Sequence, residues 1–222
     1  MIKYRGPKLK IIKKLGVLPG FTQKTITETN STNKTFSLKQ ISLLDNYKIQ
    51  LNEKQKLKYN YNLSEKQLRN YYNKSKKQFG AKENILLTIL EARLDNILFR
   101  LGFSSTITEA RQYINHNHII VNNKTVNFAS YNCKLNDKIN IKNDSKIMPL
   151  ILKNFQKQID KEALIENRLK KLNLNSSNFK FILPSYLKLD RNKIEGTICS
   201  SIKINMSLLK VNELKILEFY SH

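Results

Sequence analysis

The sequence predicts an α+β fold carrying an extended basic arm at its N-terminus, and three observations lead there. Apolar residues recur at helical spacing through the middle of the chain. Within the following fifty residues or so, helical patterns give way to a two-residue hairpin signal and a further strand. The first twenty residues hold Lys3, Arg5, Lys8, Lys10, Lys13 and Lys14 and no acid, punctuated by Gly6, Pro7, Gly16, Pro19 and Gly20. Glycine and proline at those positions oppose a regular helix, so an extended arm is expected over residues 1–45, unordered by itself and ordered on a phosphate backbone.

Helical character begins near Leu51. EKQKLKY, from Glu53 to Tyr59, reads as a short basic helix. Ser64 and Gln67 have the S-x-x-Q spacing of a capping box, and Gly80 is placed to end the helix they open. On it, Leu68, Tyr72 and Phe79 face inward, while Lys66, Arg69, Asn73 and Lys76 share another face. Residues 53–82 contain nine basic and two acidic side chains. A face that is merely solvated mixes both signs, so this one-sided charge points to an anionic partner.

A third helix is expected over Lys82–Leu101, with Leu87, Leu90, Leu94, Leu98 and Leu101 as its apolar stripe and Gly102 as its stop. Thr106 and Glu109 form a second capping box, opening a helix through about Asn115 that points Ala110, Tyr113 and Ile114 inward. Arg111, Gln112 and His116 are expected outside. HIIV and KTV flank Asn122-Asn123 as a hairpin, and KINI follows as a strand. Beyond it come a lysine-rich helical stretch, the strand-like SYLKLD and IEGTI, and a short apolar C-terminal segment, NELKILEFYSH, as helix or strand.

The charge balance narrows the function. Forty Lys and Arg against 17 Asp and Glu leave a net +23 in a chain of 222 residues, an excess that calls for a polyanion. No run approaches the roughly 18 apolar residues of a spanning helix, so nucleic acid rather than membrane is expected. MIKYRGPKLK has no apolar stretch behind its charges and is not a secretory signal. Cys133 and Cys199 are far apart, which argues against a disulfide framework or a Cys-based zinc site. His116 and His118 supply at most two ligands, without a third at recognisable spacing, so no metal and no cofactor are expected. Heavy use of Lys, Asn and Ile suggests an AT-rich genome such as an organelle's.

RLDNILFRLGF followed by TEARQYINHNHIIVN resembles the small RNA-binding fold named after ribosomal protein S-four. YRGPKLKIIKKLGVLPGFT, EKQKLKYNYNLSEKQLRNYY and the terminal KVNELKILEFYS resemble the S-four family itself, in its plastid version. The likeness covers residues 1–25, 46–142 and 183–222. It departs in four places: no cysteine cluster in the arm, Asn122-Asn123 where Asn-Gly is common, Leu135 where a proline is usual, and a longer lysine-rich segment at 143–182.

The resemblance implies an all-α domain, 46–92 with 200–222, and an S-four RNA-binding domain inserted at 93–199 that includes the lysine-rich insertion. It also implies a structural role in the small ribosomal subunit of a plastid. The partners would be the 5′ domain of 16S-type rRNA, ribosomal protein S-five and other small-subunit proteins, and mRNA where it enters the subunit, with effects on assembly and decoding accuracy. Candidate rRNA-binding residues are Lys8, Lys10, Lys13 and Lys14 in the arm, Lys54, Lys56, Lys58, Lys66, Arg69, Lys76 and Lys77 on the basic helices, and Arg93, Arg111, Gln112, His116 and Lys124.

A junction of RNA helices presents phosphates, 2′-hydroxyls and shape, which cations and amides spread over rigid domains can hold. Arg93 has a structural rival role, pairing with Asp95 or Glu91 to staple two helices. Catalysis finds no support: there is no H-E-x-x-H, no G-x-S-x-G and no phosphate-cradling glycine loop. The alternatives are the RNA-binding module of an RNA-modifying enzyme, which needs a separate catalytic domain, or a free RNA-binding factor, which has no need of the family's arm and C-terminus.

Overall fold

A computed structural model describes residues 4, 6–24, 43–78, 82–142, 145–171, 183–190, 193–202, 209 and 211–221. Phe79, Gly80, Lys3 and Arg5 lie outside these. Eight helices and one five-stranded sheet are formed among the described residues, divided into two units. The first unit is Met1–Leu90 with Ser207–His222, and the second is Glu91–Met206.

In the first unit, the stretch expected as an extended arm contains a helix, α1 (Lys8–Leu15). The Gly and Pro residues that argue against a helix sit at its edges rather than inside it. Pro7 has the fixed φ that suits a helix start, and Gly16, at φ 88, ends it with its N–H on the Ile12 carbonyl. Ile12, Leu15, Leu18 and Phe21 are buried, so apolar spacing inside the basic run supplies a packing face. Gly20 N–H donates to Asn60 Oδ1 at 3.0 Å, and the Phe21 and Tyr59 rings lie 5.7 Å apart. The segment 6–24 is thus fastened to α2 (Leu43–Asn60), a helix that begins eight residues before Leu51.

Helix α2 ends in a Schellman turn. Asn62 takes φ 47, its N–H reaches the Tyr59 carbonyl, and Leu63 N–H reaches that of Lys58. α3 (Glu65–Lys76) opens with both halves of the Ser64/Gln67 capping box in place and buries Leu68, Tyr72 and Ser75. The C-terminal segment is helical, α8 (Glu213–Ser221), and finds the packing partner a short helix needs in α2, with Ile216 buried.

The single helix expected over Lys82–Leu101 is two, α4 (Lys82–Glu91) and α5 (Leu94–Arg100). Its leucine stripe is buried as expected, but the backbone breaks at Ala92-Arg93. Arg93 is extended (φ −69, ψ 139) and bridges to Asn132, with Cys133 N–H on Ala92 O and Leu94 N–H on Tyr131 O, both at 2.9 Å. A segment some forty residues away therefore replaces the hydrogen bonds of one helical turn, which no local pattern announces. The boundary between units falls before Glu91, which is tied to Asn96 and Arg100 of the second unit.

α5 ends in a second Schellman turn, with Gly102 at φ 82 and Phe103 N–H on Leu98 O. α6 (Ile107–Asn115) is capped by Thr106, which accepts from Glu109 N–H. Glu109 reaches back to Ser105 N–H and Oγ instead of Thr106, so the box closes one residue early.

The sheet runs β2-β1-β3-β5-β4, entirely antiparallel. β1 (Ile119–Val121) and β2 (Lys124–Thr125) flank Asn122 and Asn123, both at positive φ as a two-residue type I′ turn demands. β3 (Lys138–Ile141), β4 (Leu187–Asp190) and β5 (Glu195–Ile198) are the strands read from KINI, SYLKLD and IEGTI. Ile119, Val121, Ile139 and Ile141 pack with α5 and α6 residues in one core. Gly196 makes room for that layer: a Cβ there would stand 2.3 Å from Leu101 Cδ1. The lysine-rich insertion carries α7 (Met148–Lys171), whose first turns follow Ile147 into the same core through Ile151 and Phe155. The residues 143–144 and 172–182 of that insertion lie outside the described ones.

Candidate nucleic-acid interface

Three of the predicted cations are buried in ion pairs. Asp95, 1% exposed, accepts from Arg93 Nε at 3.0 Å and Nη2 at 2.7 Å, and from Arg111 Nε at 2.7 Å. Arg93 is 4% and Arg111 7% exposed. Instead of lying on the outer face of α6, as expected, Arg111 folds its guanidinium back onto Asp95 at the start of α5. The structural role weighed for Arg93 is the one the geometry displays, with Asp95 as partner. A carboxylate between two Arg forks satisfies much of its lone-pair capacity, which such burial requires. Beside it Glu91 accepts from Arg100 Nε at 3.1 Å and Asn96 Nδ2 at 2.6 Å. The Asp95 cluster ties α6 to the start of α5, the Glu91 cluster ties the end of α4 to α5, and the 131–133 segment is held by backbone hydrogen bonds to Ala92 and Leu94.

Lys54 is the third. It is 6% exposed, 3.0 Å from Glu65 Oε1 and 4.2 Å from the Phe219 ring centroid. Lys56 pairs with Glu53 and Lys58 with Glu65 at 3.6 Å. The two acids of the 53–82 stretch thus engage Lys54, Lys56 and Lys58 of α2, so the basic face expected there is largely turned to internal use. Tyr220 OH also donates to Glu65, and Asn212 N–H to Glu53, so the same acids anchor the C-terminal segment. Burial alone would raise the Glu65 carboxyl, but its hydrogen bonds and the two lysines hold it below the ordinary glutamate range.

The remaining cations face solvent. Lys66, Arg69, Lys76 and Lys77 are exposed along α3, with Lys74 among them. Lys10, Lys13 and Lys14 are exposed on α1, while Lys8 is half-buried, donates to Phe21 O and lies over its ring. In the second unit Gln112, His116 and Lys124 are exposed. His116 caps α6, and Asn117 after it takes φ 59 in a third Schellman turn, with His118 N–H on Tyr113 O.

The two histidines differ in kind. Their ring centroids lie 6.0 Å apart, but the half-buried His118 exchanges a hydrogen bond with Ser145 Oγ through Nδ1 at 2.9 Å. Burial first, then the nearby charges of His116 and Lys142, push His118 below the usual histidine value, so it is a neutral hydrogen-bonding ring at neutral pH. Among the described residues no three His, Cys, Asp or Glu side chains converge on a point. Cys133 is buried, with burial and then Asp137 and Asp95 pushing its thiol well up, and Cys199 is exposed; both are free. Among the described residues no helix is long and apolar enough to cross a membrane.

Further exposed cations, Lys74, Lys134 and Lys142, are absent from the sequence-based candidates. A signal for Lys134 was present: from Ala110 to Asn136 the chain has no acidic residue. Asp137, which ends that run, is buried and accepts from Asn122 Nδ2 and Lys134 N–H, both at 2.7 Å.

Comparison with known proteins accords with this geometry. Residues 92–139 match the family model described as "S4 domain", so the second unit contains a domain of that class. Residues 3–91 match "Ribosomal protein S4/S9 N-terminal domain". The chain is 42% identical over 225 residues to the small ribosomal subunit protein uS4c of Marchantia polymorpha, covering 100% of this chain and 98% of the relative. The protein of the same name from Prototheca wickerhamii is 41% identical over 226 residues, with 100% and 99% covered. That from Rosulabryum capillare is 42% identical over 222 residues, with 100% and 98% covered. The chain belongs to the S-four family of ribosomal proteins.

Proposed function

We propose that this protein is a structural constituent of the small ribosomal subunit of a plastid, binding 16S-type rRNA through its exposed basic faces and carrying out no catalysis. The observation that carries the reading is the end-to-end likeness, above 40% identity, to proteins named small ribosomal subunit protein uS4c. The physical surface agrees with it. The chain carries a net charge of +23, and Glu65, Glu91, Asp95, Glu109 and Asp137 are engaged internally while Lys13, Lys14, Lys66, Arg69, Lys76, Lys77 and Lys124 reach solvent. Finer points follow the family: the 5′ rRNA domain as primary site, nucleation of the subunit body, contact with ribosomal protein S-five and with mRNA where it enters, and a share in decoding accuracy. Of the residues expected to bind rRNA, the exposed ones remain candidates, whereas Lys54, Arg93 and Arg111 act by positioning.

Co-sedimentation with small subunits through a high-salt gradient, joined to a salt titration of binding to a 5′-domain rRNA fragment, tests this. The expected result is retention with the subunit and a log–log salt slope of several units. Free protein at the top of the gradient, or a nearly flat slope, rejects it.

A further inference from the structure

The loop that joins β2 to β3 includes NFASYN, from Asn127 to Asn132, and presents an aromatic side chain that the fold does not use. Phe128 is 53% exposed, and among the described residues it is the one exposed phenylalanine or tyrosine of the second unit. Its backbone is nevertheless rigidly held. Tyr131 N–H closes a turn onto Phe128 O at 3.1 Å, and Ala129 O and Tyr131 O accept from Asp95 and Leu94 N–H at the start of α5. Behind them stands the Arg93–Asp95–Arg111 cluster. The Tyr131 ring braces Phe128 from one side, with centroids 5.6 Å apart and planes tilted by 56°.

An aromatic left in water on a fixed loop suits a partner with a flat apolar face, since little ordering cost remains to be met on binding. The surroundings say which partner. Asn127, Ser130, Asn132 and Lys134 are exposed polar or cationic neighbours along the loop, Leu135 beyond Lys134 is exposed and apolar, and Lys124 lies just before the loop. The run from Ala110 to Asn136 carries no acid at all. A protein-docking patch would extend the apolar surface around the ring; the exposed residues that flank Phe128 most closely in sequence, Asn127, Ser130 and Asn132, instead bond to phosphate, ribose and base edges. Unpaired nucleotides offer a base face for stacking together with those polar edges, and duplex RNA does not.

We propose that Phe128, braced by Tyr131, is a stacking platform for one unpaired base of the rRNA. This rests on the rRNA-binding reading and adds to it a contact that contributes affinity without neutralising a phosphate.

The chain contains no tryptophan, so Phe128→Trp places a single fluorescent reporter at the platform. Full-length wild type, Phe128→Trp and Phe128→Ala are titrated with the 5′-domain rRNA fragment over a salt series. The expected result is quenching of the introduced indole on binding, and affinity about tenfold lower for Phe128→Ala at every salt with the slope unchanged. Binding of Phe128→Trp without quenching, or full affinity of a folded Phe128→Ala, overturns the platform while leaving the rRNA reading intact. Quenching seen only in assembled subunits and never on naked rRNA overturns it in favour of a protein contact. Failure of the wild type to bind the fragment removes the rRNA reading and this proposal together; should Phe128→Ala misfold, the indole signal of Phe128→Trp decides.

Discussion

Arg111 Nε donates to Asp95 Oδ2 at 2.7 Å across two helices, and that bond moves the residue from the outer surface to the interior of its domain. Asp95 also holds Arg93, so removing the carboxylate takes a charged partner from two buried guanidinium groups. Asp95→Ala is expected to cost about 3–5 kcal/mol of stability. Arg111→Ala leaves Asp95 paired with Arg93 and is expected to cost about 1.5–3 kcal/mol. Gln112→Ala, one residue along and exposed, stays within about 0.5 kcal/mol. Urea unfolding of the three variants checks the order. An Arg111→Ala protein as stable as wild type but deficient in rRNA binding would return Arg111 to the RNA surface.

The same division between internal and outward cations applies in the first unit. Lys54→Gln removes an ion pair and a cation–π contact from a buried site and is expected to lower stability by about 1–3 kcal/mol. Lys66→Gln, Arg69→Gln and Lys76→Gln change stability little. Each that meets a phosphate lowers the salt slope of rRNA binding by roughly one unit. Parallel measurement of melting temperature and salt slope sorts them. A Lys54→Gln variant that melts normally and loses slope contradicts the assignment.

These contrasts mark where local sequence is informative. The Ser64 cap, the Asn122-Asn123 hairpin, the three later strands and the buried leucine stripe are all dictated by residues within a few positions of one another, and each is found in the fold. What local reading misses depends on distant partners. The helix break at Arg93 requires residues 131–133, and the burial of Arg111 requires Asp95 sixteen positions away. The helical α1 is hidden for a different reason: its cations mask a three- and four-residue apolar spacing at Ile11, Ile12 and Leu15. Phe128 is legible as a residue type but not as an exposed one.

Acid should weaken the second unit through Glu109. Burial alone would raise its carboxyl, but hydrogen bonds from Ser105 and Tyr113 outweigh that and hold it below the ordinary glutamate value. A carboxyl lowered in the folded state stabilises fully above its unfolded value, and the contribution disappears as pH falls through the folded one. Melting temperature is therefore expected to fall as pH drops below the ordinary glutamate range, more steeply for wild type than for Glu109→Gln. Glu109→Gln starts less stable at neutral pH, and the two curves converge in acid. Parallel curves throughout would show that the Glu109 charge does not matter.

The two asparagines of the hairpin should respond to glycine with opposite signs. Asn122 (φ 49) and Asn123 (φ 64) both sit in the left-handed region that glycine adopts at least cost. Asn122 is tied down further: its Nδ2 donates to Asp137 Oδ1 at 2.7 Å and its Oδ1 accepts from Lys138 N–H at 3.0 Å. Asn122→Gly loses both bonds and leaves buried Asp137 short of a donor, so a loss of about 1–2 kcal/mol is expected. Asn123 is exposed, and Asn123→Gly relieves its backbone while freeing the unfolded chain somewhat. A gain of a few tenths to about 1 kcal/mol is expected there. Denaturant melts of the two single variants decide it: losses of equal size would mean that turn geometry, not the Asn122–Asp137 bond, sets the cost.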